Sequence, residues 1–195
     1  SRIFTAPLPF DDKAITWCAN FLIVDKKTLV NILMNTSASY SHFKLGKRSG
    51  GYRMISAPDS NLMSIQRVIY TRILLSVNLH PASMGFRQSI SVVNNAKAHL
   101  GNSQIFRVLA ELCVLEGKLP QGAPSSPALS NIIAYNMDIA LASVAQKHGL
   151  AYTRYADDLT FSGENIAFDS ILSKIEDIIK MEKFLSKESL KKWLT

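Results

Sequence analysis

Apolar residues recur at helical spacing through residues 11 to 46. Ala14, Trp17, Cys18, Phe21 and Leu22 share one face and Leu29, Ile32 and Leu33 another, so packed helices are expected here. The period then changes. Residues 47 to 59 read KRSGGYRMISAPD, in which Ser49, Gly50 and Gly51 predict a turn, Tyr52, Arg53, Met54 and Ile55 a strand, and Pro58 its end. This is a basic hairpin. Helical spacing resumes over residues 61 to 79, with Leu62, Ile65, Ile69, Ile73 and Val77 as the stripe, Arg67 and Arg72 off it, and Pro81 as a stop. Residues 94 to 99 and 106 to 116 read as short helices, and residues 119 to 127, LPQGAPSSP, as a loop. One long helix is expected from Ser126 to about His148, with Pro127 in its first turn and Gly149 at its stop. Its buried stripe is Leu129, Ile132, Ile133, Met137, Ala140, Leu141 and Val144. Residues 151 to 162, AYTRYADDLTFS, predict two short strands around an Ala156-Asp157 turn. An amphipathic helix over residues 168 to 182 and another over 187 to 194 complete an α+β order.

Composition narrows the class. At 195 residues and 47% hydrophobic, the chain can bury one core or two closely packed subdomains and is not a disordered tail. No run of 18 residues is free of charged and polar groups, so no membrane span is expected. The first residues, SRIFTAPLPFDD, lack the apolar centre of a signal peptide, and a cytoplasmic location is expected. Cys18 and Cys113 form neither a CxxC nor a zinc-spaced cluster, and are expected as small buried apolar residues without a disulfide. The net charge of +7 suits a polyanionic partner, of which nucleic acid is the usual one, although charge alone is a weak signal.

The candidate chemistry sits at Asp157 and Asp158, adjacent carboxylates at a hairpin tip. Hard carboxylate oxygens suit Mg²⁺, whose other ligands are waters and substrate phosphates. Strand side chains alternate faces, so Asp157 is assigned the main metal role and Asp158 a secondary one. Two such ions serve in-line phosphoryl transfer. The dipeptide by itself reads as an ordinary solvated turn.

Its neighbours change that balance. Tyr155-Ala156-Asp157-Asp158 resembles the YADD box of reverse transcriptases, and residues 119 to 127 followed by Leu129-Ser130-Asn131 resemble that family's Pro-Gln-Gly loop and the helix after it. Gly51-Tyr52-Arg53-Met54-Ile55, Pro58 and Gln66 are similar to its first motif, and His80-Pro81 with Gly85-Phe86 to its second. Group II intron enzymes carry a second glycine after Pro-Gln-Gly and an Ala-Asn pair in the next helix. Ala123 and Ser130-Asn131 here are of the retron style, as is Asn95-Ala96-Lys97-Ala98-His99, an NAxxH box. The resemblance covers roughly residues 40 to 165.

The resemblance implies a right-hand polymerase with an antiparallel palm sheet packed on helices. It places N-terminal helices and fingers in residues 1–93, the palm in 94–167, and a lead into the thumb in 168–195. It implies an RNA-directed DNA polymerase with two Mg²⁺ ions at Asp157 and Asp158. Arg53 would grip the nucleotide triphosphate, supported by Lys47 and Arg48, since a guanidinium fork matches phosphate oxygens. Gln121 would sit by the nascent base pair, with Gly122 letting backbone and nucleic acid approach, and Tyr155 would pack near the primer end. Asn95 and His99 would contact RNA, an ordinary helix residue being the plain alternative for His99. The implied partners are a structured noncoding RNA serving as template and primer, deoxynucleoside triphosphates, the DNA product and an effector protein in anti-phage defence.

The pattern breaks in two places. The family needs a third aspartate, in a strand between the NAxxH box and the Pro-Gln-Gly loop, yet Asp is absent from Ala96 to Gly122. After the acidic hairpin, KMEKFLSKESLKKWLT replaces the Gly-Phe-x-x-Asn-x-x-Lys stretch and the retron Val-Thr-Gly box. Either a palm strand belongs between His99 and Leu109 and is missing from this sequence, or the chain is a deletion variant without catalysis. The rivals are therefore an inactive RNA-binding scaffold and another defence-associated or group II intron-type reverse transcriptase.

Overall fold

A computed structural model describes residues 8–48, 50–84, 103–164 and 168–181. Asn95, His99 and the Gly85-Phe86 pair lie outside them, as do the expected helices over 94 to 99 and 187 to 194. The architecture is mixed helices and two small antiparallel sheets. It divides into two compact units, Ser1–Val77 with Ser89–Leu129, and Asn78–Gln88 with Ser130–Thr195.

In the first unit α1 (Asp12–Leu22) and α2 (Lys26–Met34) are each capped by an aspartate, Asp11 and Asp25, whose carboxylate accepts from the backbone N–H three residues on. The next element corrects the sequence reading. Residues 40 to 46 do not continue the helical stretch; Tyr40–Gly46 is strand β1, paired antiparallel with β2, Tyr52–Pro58. The alternation of Phe43 and Leu45 with His42 and Lys44 supplies the two-residue period. The turn between the strands uses Gly50 and Gly51 at φ 86° and 77°, a region glycine enters without steric cost.

Helix α3 (Ser60–Arg72), capped by Asp59, stops short of the expected 79 and passes into a 3₁₀ turn, Leu74–Ser76. Off the stripe, Arg72 donates to the Phe21 carbonyl and lies over the Phe21 ring. Helix α4 (Ser103–Glu111) packs on α1, and Ala14, Cys18, Leu22, Leu29, Leu62, Ile65, Val108 and Leu112 are buried. The cysteines are free and buried as expected, and burial pushes the Cys18 thiol up to about 12 and Cys113 to about 11.

The single long helix is two: α5 (Ser126–Ile133), which carries the chain between the units, and α6 (Tyr135–Lys147), with Ala134 at the break. In the second unit α6, the hairpin β3 (Ala151–Tyr155) and β4 (Asp158–Ser162), and α7 (Phe168–Met181) surround a core of Ala134, Met137, Leu141, Ala145, Tyr152, Ile171, Ile175 and Ile179. Ala82–Met84 runs along the free edge of β3, with Arg154 N–H donating to the Ala82 carbonyl and Met84 N–H to the Arg154 carbonyl, both at 2.8 Å. Among the described residues nothing pairs with the outer edge of β4. No single helix among them is long and apolar enough to cross a membrane.

Candidate active site

The β3–β4 hairpin closes at Tyr155↔Asp158, leaving Ala156 and Asp157 as its two turn residues. Ala156 takes φ 55°, the left-handed conformation that short hairpin turns demand and that costs a non-glycine residue about 1 kcal/mol or more. Pairing sets the faces. Tyr152, Phe161, Arg154 and Leu159 lie on the side packed against the core, and Tyr155 and Asp158 face each other on the open side. Asp157, Asp158 and Tyr155 are exposed, Tyr155 by 60%.

Directly beneath the tip lies a fully buried polar network that the sequence reading missed. The Arg154 guanidinium is 2% exposed, and each of its five N–H donors has a partner. Nε and Nη2 form a forked pair with Oδ1 and Oδ2 of Asp138, both at 2.8 Å. Nη1 donates to Asn131 Oδ1 at 3.0 Å and to the Ala156 carbonyl at 2.8 Å, and Nη2 also to Ser83 Oγ at 3.3 Å. Tyr152 Oη donates to Asp138 Oδ1 at 2.8 Å. Burial opposes the charge of Arg154, but the Asp138 carboxylate outweighs it and holds the guanidinium above its ordinary pKa. Burial first, and Asp138 second, push the Tyr152 phenol up as well. Asp138 thus serves as a counter-ion inside the protein. The signal for this pair was available: Arg154 is in phase with Tyr152 on the inward face, and a buried arginine requires a carboxylate, which Asp138 supplies between Met137 and Leu141 of the buried stripe.

The other expected residues lie in the first unit. Arg53 is exposed on β2, opposite Leu45, and Lys47 and Arg48 are exposed at the turn. The Pro-Gln-Gly loop docks on the same strand: Ser56 N–H donates to the Gln121 carbonyl at 2.8 Å, and the Gln121 side chain is exposed. Gly122 has φ 120°, and a Cβ there would meet Ile55 Cγ2 at 3.0 Å and the Ser56 carbonyl oxygen at 3.2 Å. Its lack of a side chain therefore serves loop-on-strand packing within the protein. Gln66 is buried behind this region and donates to Tyr40 Oη and the Leu112 carbonyl, both at 2.8 Å. Arg53, Lys47, Arg48, Gln121 and Gly122 are thus brought onto one hairpin and its docked loop, while Tyr155, Asp157 and Asp158 occupy one hairpin tip in the other unit.

The donor set at the tip fits a magnesium ion, which takes one or two carboxylates and completes its shell with waters and phosphates. Among the described residues no group of three His, Cys, Asp or Glu side chains gathers. The part of the stretch between His99 and Leu109 that is described is helix α4, where the resemblance expected an aspartate-bearing strand, and it contains no Asp.

No protein-family model matches the chain. Individual proteins do. It is 30% identical over 175 residues to the retron Ec86 reverse transcriptase of Escherichia coli, covering 73% of this chain and 55% of that one. It is 31% identical over 175 residues to the retron Mx65 reverse transcriptase of Myxococcus xanthus, covering 65% and 41%. To the retron Mx162 reverse transcriptase of the same organism it is 26% identical over 210 residues, covering 77% and 43%. The chain therefore spans about half the length of the curated relatives it matches. In the first match, 175 residues exceed 73% of a 195-residue chain, so the relative carries residues inside the matched span that have no counterpart here. By sequence, the chain is a relative of the retron-type reverse transcriptases.

Proposed function

We propose that this chain is the fingers and palm part of an RNA-directed DNA polymerase of the retron type, with the right-hand arrangement of such enzymes. Residues 1–93 are then N-terminal helices and fingers, 94–167 palm, and 168–195 the lead into the thumb. The observation that carries this reading is the pair of exposed carboxylates, Asp157 and Asp158, on a two-residue turn braced from below, in a chain related to reverse transcriptases. Asp157 is the principal ligand for Mg²⁺ and Asp158 the second. Bound magnesium supplies charge stabilisation for an in-line nucleotidyl transfer. Arg53 grips the triphosphate with its planar fork, and Lys47 and Arg48 add positive charge at the same hairpin. Gln121 sits by the nascent base pair, Gly122 holds that loop against β2, and Tyr155 packs beside the primer end. Asn95 and His99 contact RNA. The template and primer come from a structured noncoding RNA, the product is DNA, and the enzyme works in the cytoplasm with an effector protein in anti-phage defence.

One observation favours a second reading, an inactive RNA-binding scaffold. No Asp occurs between Ala96 and Gly122, and the relatives carry extra residues within the matched span. RNA-templated incorporation of deoxynucleotides in Mg²⁺ separates the two. The polymerase reading expects incorporation, with RNA affinity falling steeply as salt rises, because several phosphate contacts release counterions. Salt-sensitive binding of a folded RNA without any incorporation supports the scaffold.

A further inference from the structure

The carboxylates at the tip depend on a backbone turn, and that turn is held from below at its central peptide. Of the four residues Tyr155 to Asp158, the central peptide links Ala156 to Asp157. Rotation of that peptide is what interconverts the turn types of a two-residue hairpin, and it changes the direction in which the second turn residue leaves the sheet. Its carbonyl, that of Ala156, is held at 2.8 Å by Nη1 of Arg154. The same Nη1 is tied to Asn131 at 3.0 Å, and the other nitrogens to Asp138 and Ser83. A guanidinium with all five donors engaged has one available orientation, so the peptide it holds has one as well. Ala156 also sits in the left-handed region without being glycine, a conformation that persists only where its surroundings impose it.

We propose that Arg154, oriented by Asp138 and Asn131, is a positioning residue that locks the central peptide of the Ala156-Asp157 turn and thereby fixes the direction of the Asp157 carboxylate. The proposal rests on the reading of the tip as the metal-binding end, and it assigns a role to the asparagine that follows Ser130. Lysine cannot replace arginine here, because one ammonium offers three donors from a single atom and cannot span Asp138, Asn131, Ser83 and the Ala156 carbonyl together.

The test compares Arg154→Lys and Asn131→Ala with the wild-type full chain by residue-resolved amide hydrogen exchange and by Mn²⁺ broadening of amide resonances, neither of which requires polymerase activity. In Arg154→Lys, exchange at residues 155 to 158 should rise at least about tenfold relative to α6 and α7, the level set by loss of one charge-assisted hydrogen bond. Asn131→Ala, which removes one of the two partners of Nη1, should give a smaller rise at the same residues, and it remains informative if Arg154→Lys does not fold. Broadening at the tip should need severalfold more Mn²⁺ in both variants. Replacing Ala156 by glycine in the Arg154→Lys background should recover part of the exchange protection, because glycine removes the left-handed cost. Exchange that rises uniformly across the unit, or a tip that is unchanged in both variants, overturns the proposal and leaves Arg154 a core brace. If exchange and glycine rescue behave as stated but wild-type broadening never centres on residues 157 and 158, then the positioning role stands and the metal reading of the tip fails.

Discussion

The two hairpins are built on opposite plans. In β1–β2 the strands are seven residues long and exposed over most of their length, with Phe43, Leu45, Tyr52 and Met54 beside Lys44, Lys47, Arg48 and Arg53. It is secured at its base, where Tyr40 and Pro58 are buried and Asp59 N–H donates to the Ser39 carbonyl, and midway by the docked Gln121 loop. In β3–β4 the strands are five residues long, one face is packed on α6 and α7, and the anchoring reaches the central peptide of the turn through Arg154. On the proposed reading the difference has a purpose. A surface that collects a triphosphate would need reach and charge, which long exposed cations supply, and a surface that holds a hard cation would need carboxylates fixed in direction, which a short braced turn supplies.

Outside the acidic tip itself, the comparison can be broken in order of effect. Arg154→Met leaves the Asp138 carboxylate buried without its counter-ion. The second unit should lose about 3–5 kcal/mol in urea unfolding, the usual cost of removing one partner of a buried pair. A loss under about 1 kcal/mol would mean that the brace is not what holds β3–β4. Arg53→Ala should act on ligand use alone. Nucleotide affinity should fall by about 1.5–3 kcal/mol, the range for a charge-assisted bond, while unfolding shifts by less than about 0.5 kcal/mol as for other exposed sites. If RNA affinity falls and nucleotide dependence does not, the basic hairpin holds nucleic-acid backbone and the contrast between the two hairpins must be redrawn. Gly122→Ala forces a side chain against Ile55 and Ser56 at φ 120°. It should cost about 1–3 kcal/mol in the first unit, with chemical-shift changes along β2 and none at β3–β4. Shifts confined to residues 121 to 123 would show that the loop does not support the basic hairpin.

Much of this plan was legible before the structure. Both hairpins carried their turns in the sequence, Gly50-Gly51 in one and Ala156-Asp157 between short β-prone runs in the other, and the helices after them showed clear stripes. Three features were not legible. Strand β1 was read as helix because Tyr40, Phe43 and Leu45 follow α2 closely and a short apolar run satisfies both periods; only pairing with β2 decides. The break at Ala134 involves neither proline nor glycine, so no local residue announces it. The Arg154–Asp138 pair joins residues sixteen apart in sequence; the inward phase of Arg154 could be read from the strand, but which carboxylate it meets could not. Of the site, the residue types and their hairpins could be read, whereas the brace beneath the acidic turn required the three-dimensional arrangement.

The most direct measurement is Mg²⁺-dependent, RNA-templated primer extension by the wild-type chain and by Asp157→Asn, with the thermal midpoint of each recorded alongside. Asp157 is exposed at the tip, so the substitution should leave the midpoint nearly unchanged. Extension should fall by at least about 10³-fold, since several kcal/mol of charge stabilisation are lost at roughly 1.4 kcal/mol per decade. Extension by Asp157→Asn at the wild-type rate would contradict the assignment of the acidic hairpin as the catalytic end.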